Sequence, residues 1–203
     1  MNLDDRERQE NRDDFMKSEL GAVWPELRSG IWHTTSVRAL QSIRSDGFIH
    51  TNADRRYEFA WPDSDRSYGR MNGMVCLFDF ASASEDECFT DCVKWIGFFS
   101  RHDPITVAIE LSRAALSANL VASSAATVED PDCQHMWIPY VEAWHRGPIP
   151  TSAIRRYGFH WFTTPSREWH WADARDPELD EVLPRMIEIC EDWERRNRAD
   201  SGP

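Results

Sequence analysis

A histidine that closes one short apolar stretch and a glutamate centred in another are the side chains of this chain best suited to chemistry. Gly30 to Phe48 reads Gly-Ile-Trp-His-Thr-Thr followed by SVRALQSIRSDGF, which puts His33 at the lip of an expected strand. Tyr140 to Ile154 reads YVEAWHRGPIPTSAI, with Glu142 inside a short apolar run. A histidine can hydrogen-bond a sugar hydroxyl without being a strong cation. A carboxylate is costly to bury unpaired. In a central strand Glu142 therefore needs a partner or a function; in an edge strand it simply faces water. In one cleft, such a pair suits cleavage of a bond to ribose through an oxocarbenium ion. The imidazole fixes the ribose, and the carboxylate stabilises the positive charge and orients the nucleophile. An aromatic ring would stack on the leaving group and an arginine would pair with a pyrophosphate.

The elements that must carry these groups are legible in outline. Ile31 to Thr35 reads as a strand. Val37, Leu40 and Ile43 mark one helical face after Ser36, an expected N-cap, and Gly47 stands where a C-cap glycine belongs. Residues 51–73 read as a loop-like insertion carrying Tyr57, Tyr68 and Arg70. Met74 to Phe80 reads as a buried strand, and Ser84 with Glu87 as a capping box opening a helix to Phe99. Phe48-Ile49, which looks like the start of a short strand, with Ile105 to Leu111, Trp137 to Trp144 and Tyr157 to Thr163, completes the expected strands. Residues 112–120 read as a short helix and 121–134 as loop. A final helix follows Asp176-Pro177, with Pro184 expected to kink it or delay its start. Strands without regular βα alternation argue for an α+β fold: a split, mixed or antiparallel sheet of about six short strands with flanking helices. Residues 1–20 read as a charged arm, 21–175 as one α+β domain, and 176–203 as a helix packed on it or extending from it.

The net charge of −12 disfavours a nucleic-acid partner. No run reaches the length of a membrane span, so no membrane partner is expected. The acidic start, MNLDDRERQENRDDF, lacks the apolar stretch of a signal peptide. Five cysteines without regular spacing fit a reducing compartment, and the expected location is cytoplasmic. Cys88, Cys92, Cys133 and His135 could be assembled into a zinc site, but Cys88 and Cys92 fall on an apolar helix face beside Trp95, where core packing accounts for them. No metal is expected. Asp132, His135 and His145 could form a hydrolytic cluster, though nothing in their spacing requires one. The ten tryptophans read mainly as core; His160-Trp161 and Trp169-His170-Trp171 are the pairs that could instead form a stacking surface.

Trp32-His33-Thr34-Thr35 with its helix and SDGFI, the strand VCLFDF, and VEAWHRGPIPTSAI together resemble the ADP-ribosyltransferase-like superfamily over residues 30–157. The resemblance implies a split sheet around a nicotinamide cleft, NAD as the substrate, His33 on the ribose, Thr34 beside it among the cofactor-binding residues, and Glu142 as the catalytic carboxylate. Tyr68, Arg70 or Tyr57 would take the aromatic or phosphate-binding place. Two departures stand out. Tyr140 occupies the position two before Glu142, where arginine-directed members carry a second glutamate, and Thr34 stands where the poly-ADP-ribosylating branch has glycine. The expectation is an NAD-dependent mono-ADP-ribosyltransferase-like enzyme of toxin or defence type. A non-catalytic nucleotide- or partner-binding module on the same scaffold is one alternative. An RNA 2′-phosphotransferase-type enzyme, drawing on the arginines of the first half, is another.

Overall fold

The computed structural model describes residues 23–54, 67–90, 95, 97, 99, 104–124, 138, 140–161 and 169–200. The charged arm and Tyr57 lie outside them. Five helices and nine strands are labelled here: β1 (Ile31–Ser36), α1 (Val37–Asp46), β2 (Phe48–Ile49), α2 (Tyr68–Met71), β3 (Met74–Asp79), α3 (Glu85–Thr90), β4 (Ile105–Leu111), α4 (Arg113–Leu116), β5 (Leu120–Ala122), β6 (Glu142–Arg146), β7 (Ile149–Pro150), β8 (Ile154–Trp161), β9 (Trp169–Asp173) and α5 (Leu179–Asp200). Residues 23–27 are also helical.

The fold is α+β, with a seven-stranded sheet in the order β5-β6-β3-β1-β4-β8-β9 and a separate β2-β7 pair. Every described pairing is antiparallel, so the sheet is not mixed. The strands exceed the expected six because β5, β7 and β9 carry short or polar-interrupted patterns that do not announce a strand. Two other boundaries move. The glutamate strand starts at Glu142 rather than near Trp137, and α5 runs unbroken through Pro184. Proline removes the hydrogen bond to the carbonyl four residues back. Here that carbonyl belongs to Asp180, an exposed residue near the helix start where water can serve it.

Local chemistry places α1 firmly. The Ala39 amide donates to Ser36 Oγ at 3.2 Å, and Gly47, in the left-handed region at φ 77°, donates its amide to the Ile43 carbonyl at 2.9 Å. The helix buries Val37, Leu40 and Ile43 against the sheet. At α3 the capping box forms as expected: Ser84 N donates to Glu87 Oε2 at 2.8 Å and Glu87 N to Ser84 Oγ at 3.3 Å.

β4 is buried along all of its residues, which requires cover on both faces of the sheet. On one face Val107, Ile109, Leu77 and Phe159 meet α1 and the α5 residues Leu179, Leu183, Met186 and Cys190. On the other, Trp32, Phe78 and Ala108 meet Trp24, Leu27, Phe80, Cys88, Trp95 and Phe99. Each buried aliphatic side chain contributes about 1.5–3 kcal/mol.

The second face also holds a polar clamp. A bulge between β4 and β8 brings two successive arginines to the buried Glu110. Arg155 Nη1 donates to Glu110 Oε1 at 3.0 Å, and Arg156 pairs with Oε2 through its Nε. Arg156 also donates to Glu26 Oε2 at 2.6 Å and lies 4.7 Å over Trp171 and 5.4 Å over Trp32. One guanidinium therefore joins residues 23–27, β1, β4, β8 and β9.

Leu40 is fully buried, and Leu40→Ala is expected to lower the unfolding free energy by about 2–5 kcal/mol. Ser36→Ala, which removes only the cap, should cost about 0.5–2 kcal/mol. Urea titrations with unchanged m-values would check both.

Candidate functional site

β3 collects the residues singled out in the sequence, and Cys76 is their common neighbour. On one side of it lies β1. The two strands pair through Ile31 with Asp79 and Trp32 with Phe78, whereas β1 continues beside β4 as far as Ser36. β1 and β3 thus part after Trp32, and His33 stands at the parting. Its Nδ1 lies 3.0 Å from the Cys76 carbonyl oxygen. A carbonyl only accepts, so Nδ1 carries the proton. Burial lowers the imidazole's pKa, with the Cys76 carbonyl as a smaller opposing effect, so the ring is neutral at pH 7. Nε2 is then an acceptor, the form that receives a hydroxyl proton.

On the other side of β3 lies β6. Phe78 pairs with Glu142, Leu77 with Ala143 and Cys76 with Trp144. β6 is flanked by both β3 and β5, so Glu142 is not on an edge strand, and it is only 8 % exposed. Ile138 N donates to its Oε2 at 2.7 Å. Burial pushes its pKa up to about 7, held back by the Ile138 amide and by the Trp144 indole. A carboxyl group that changes charge near neutrality is suited to proton transfer or to electrostatic stabilisation of a cation.

The Cys76 thiol lies within the field of both Glu142 and Arg70. Burial first, and then the Glu142 charge, push its pKa up to about 12, while Ser67 and Arg70 pull the other way. A thiol held neutral is a poor nucleophile. Its role here is to fill space. α2 lies so close that a Cβ on Gly69 would come within 2.2 Å of the Trp144 ring and 2.8 Å of the Cys76 sulfur. Glycine is what allows this approach. Tyr68 is buried, its ring 4.6 Å from that of Trp144, and Arg70 is half-buried.

Strand alternation decides which of these groups share a face. Glu142 is paired with Phe78, which like Trp32 belongs to the tryptophan-rich core. Thr34 follows Trp32 on that face, opposite Ala108, and is half-buried. Cys76 and Trp144 lie there as well. His33 is paired with Ile109, a residue of the helix-covered core, so its ring starts on the opposite face and reaches Cys76 at the parting. His33 and Glu142 are two strands apart, about 10 Å between strand axes. The structure therefore gathers Glu142, Tyr68 and Arg70 near Cys76 and Trp144, with Thr34 on the same face beyond the parting and His33 entering from the other.

Sequence reasoning passed over Cys76, Trp144 and the Ile138 amide. Trp144 was accessible, because positions 142 and 144 of one strand share a face. The other two depend on pairing and on a turn that no local pattern reveals. Elsewhere, Trp169 stacks on His160 at 4.7 Å and on Trp171 at 5.3 Å, so these three rings form one ladder across β8 and β9, while Trp161 meets His170 edge-on. Cys88 is buried in the tryptophan-rich core, its carbonyl accepting from the Trp95 indole at 2.8 Å. Cys92, Cys133, His135 and Asp132 lie outside the described residues. His145 is buried on β6, its Nδ1 3.0 Å from the Gly147 carbonyl.

The raised Glu142 pKa has a consequence for stability. The folded chain holds this proton more tightly than the unfolded chain, so the contribution is fully present below about pH 4.5 and is lost as pH rises through about 7. Glu142→Gln keeps an oxygen for the Ile138 amide and does not ionise. It is expected to be more stable than the wild type at pH 8, on the order of 1–3 kcal/mol, with the difference shrinking toward pH 5. Chemical denaturation of both proteins across that range measures it. No family model, no curated protein and no solved structure matches this chain.

Proposed function

We propose that the chain is an NAD-consuming mono-ADP-ribosyltransferase-like enzyme whose reaction is centred on Glu142. The observation that carries this reading is the parting of β1 from β3 with His33 at its lip and the buried Glu142 on the next strand. Where two strands separate, a ligand can reach backbone and side chains that a continuous ladder would seal. In this reading the neutral His33 accepts a ribose hydroxyl through Nε2, and Thr34 offers a second hydroxyl contact on the Glu142 face. The ionised Glu142 stabilises the oxocarbenium ion formed as the nicotinamide–ribose bond breaks. Arg70 supplies positive charge to the pyrophosphate. The acceptor takes up the ribosyl carbon, and nicotinamide leaves with the bonding electron pair.

Opposite starting faces for His33 and Glu142 favour a second reading, a module that binds NAD or ADP-ribose without cleaving it. The two readings separate on nicotinamide release. In the first, wild-type protein releases nicotinamide, and Glu142→Gln lowers the rate by about a hundredfold or more while the far-ultraviolet spectrum is unchanged. Because the carboxylate form is required, turnover should rise with pH through about 7. His33→Ala should act chiefly on the KM for NAD. Tight binding seen by calorimetry with no nicotinamide release would select the binding module. A Glu142→Gln variant as active as the wild type would remove the catalytic assignment.

A further inference from the structure

The long helix α5 spends one stripe on the core: Leu179, Leu183, Met186 and Cys190 are buried against the sheet and α1. A neighbouring stripe is apolar yet open to solvent. Val182, Ile189 and Trp193 are 37 %, 39 % and 41 % exposed. Val182 and Ile189 are one heptad apart and Trp193 follows four residues later. Met186, itself buried in the core, completes a 4-3-4 spacing between them, the pattern of a helix-pair seam. Three large apolar side chains in line on a charged helix each leave more than a third of their surface in water, and a second helix laid along them would cover it.

Charge selects the partner. Arg185 and Asp192 flank the stripe on the side away from the core, one heptad apart. Among the described residues Arg185 makes no ion pair, and Asp192, half-buried, pairs only with the strongly exposed Arg195 and Arg196. In an antiparallel pairing of two α5 helices that sets Val182 against Trp193, Arg185 of each copy faces Asp192 of the other. The two-fold axis makes this contact twice. Such a pairing also sets the acidic start of the helix, with Asp180 and Glu181, beside its basic end, with Arg195 and Arg196. A parallel pairing would stack the acidic halves on each other.

We propose that this face of α5 is a self-association surface, and that two copies of the chain pair antiparallel along Val182, Ile189 and Trp193. The apolar stripe is about 17 Å long, which places the contact at the small end of specific interfaces and makes the dimer concentration-dependent. Its ion pairs make it weaker at high salt.

Sedimentation velocity on the full chain over a range of micromolar concentrations tests this. The wild type is expected to shift from monomer to dimer. Ile189→Gln combined with Trp193→Gln, both helix-compatible changes at exposed positions, should weaken association by about a hundredfold. Arg185→Asp alone should weaken it by about tenfold, and Arg185→Asp with Asp192→Arg should restore it, because the exchanged charges still face each other. A wild type that stays monomeric at about 100 µM overturns the proposal. So does a dimer indifferent to the Ile189 and Trp193 changes, and a charge exchange without rescue overturns the antiparallel pairing.

Discussion

Complete burial of β4 is the constraint from which the rest of the molecule follows. A strand with no solvent-facing residue has to be covered twice, and the two covers differ. α1 and α5 supply an aliphatic layer on one face. Aromatic rings from residues 23–27, from the segment around Trp95 and from β9 supply the other. The aliphatic face tolerates few polar groups. The aromatic face admits them, because indole and guanidinium edges can be paired where methyl groups cannot. Glu110, Arg156 and Glu142 all lie on that face, each tied by at least one charge-assisted or backbone hydrogen bond.

Arg156 ties the aromatic layer to residues 23–27, β4 and β8. It stands directly opposite Glu110 in the β4–β8 register and reaches Glu26 from the same position, while the bulge beyond that pair turns Arg155 toward the same carboxylate. Its flat face lies against Trp171 and Trp32. Lysine could supply the charge but not the planar fork and the stacking at once. The segment before β1 is fixed by this clamp and by the Trp32 indole donating to Leu27 O at 2.9 Å, and so the start of β1 at Ile31 is fixed, two residues before His33 leaves the ladder with β3.

At the candidate site the electrostatics follow from position rather than from residue type. Glu142 rises toward neutrality because it is buried with a backbone amide for its hydrogen-bond partner instead of a cation. His33 falls because burial outweighs the carbonyl that holds it. The two shifts leave an uncharged imidazole and a carboxyl group poised between its two forms, a combination that serves sugar chemistry better than an ion pair would. Cys76, between them, is kept inert by the same burial.

The local features were legible in the amino-acid sequence: the α1 caps at Ser36 and Gly47, the Ser84–Glu87 box, the strands at Met74 and Ile105, and the unusual placing of a carboxylate in an apolar run. Each depends on neighbours within a few residues, and short-range hydrogen bonding or side-chain periodicity sets it. The α5 stripe belongs to the same class, since its 4-3-4 spacing can be counted, although which stripe faces the core is decided by packing. What only the tertiary structure decided is long-range pairing. Sequence alone cannot place β6 beside β3 rather than at an edge, so it left Glu142 as either a buried acid or a solvated one. It cannot locate the parting of β1 and β3, because that depends on β4 retaining a register that β3 abandons. A shift of one residue in either ladder would carry His33 or Glu142 to the other face, and pairing across more than forty residues of intervening chain is what fixes that choice.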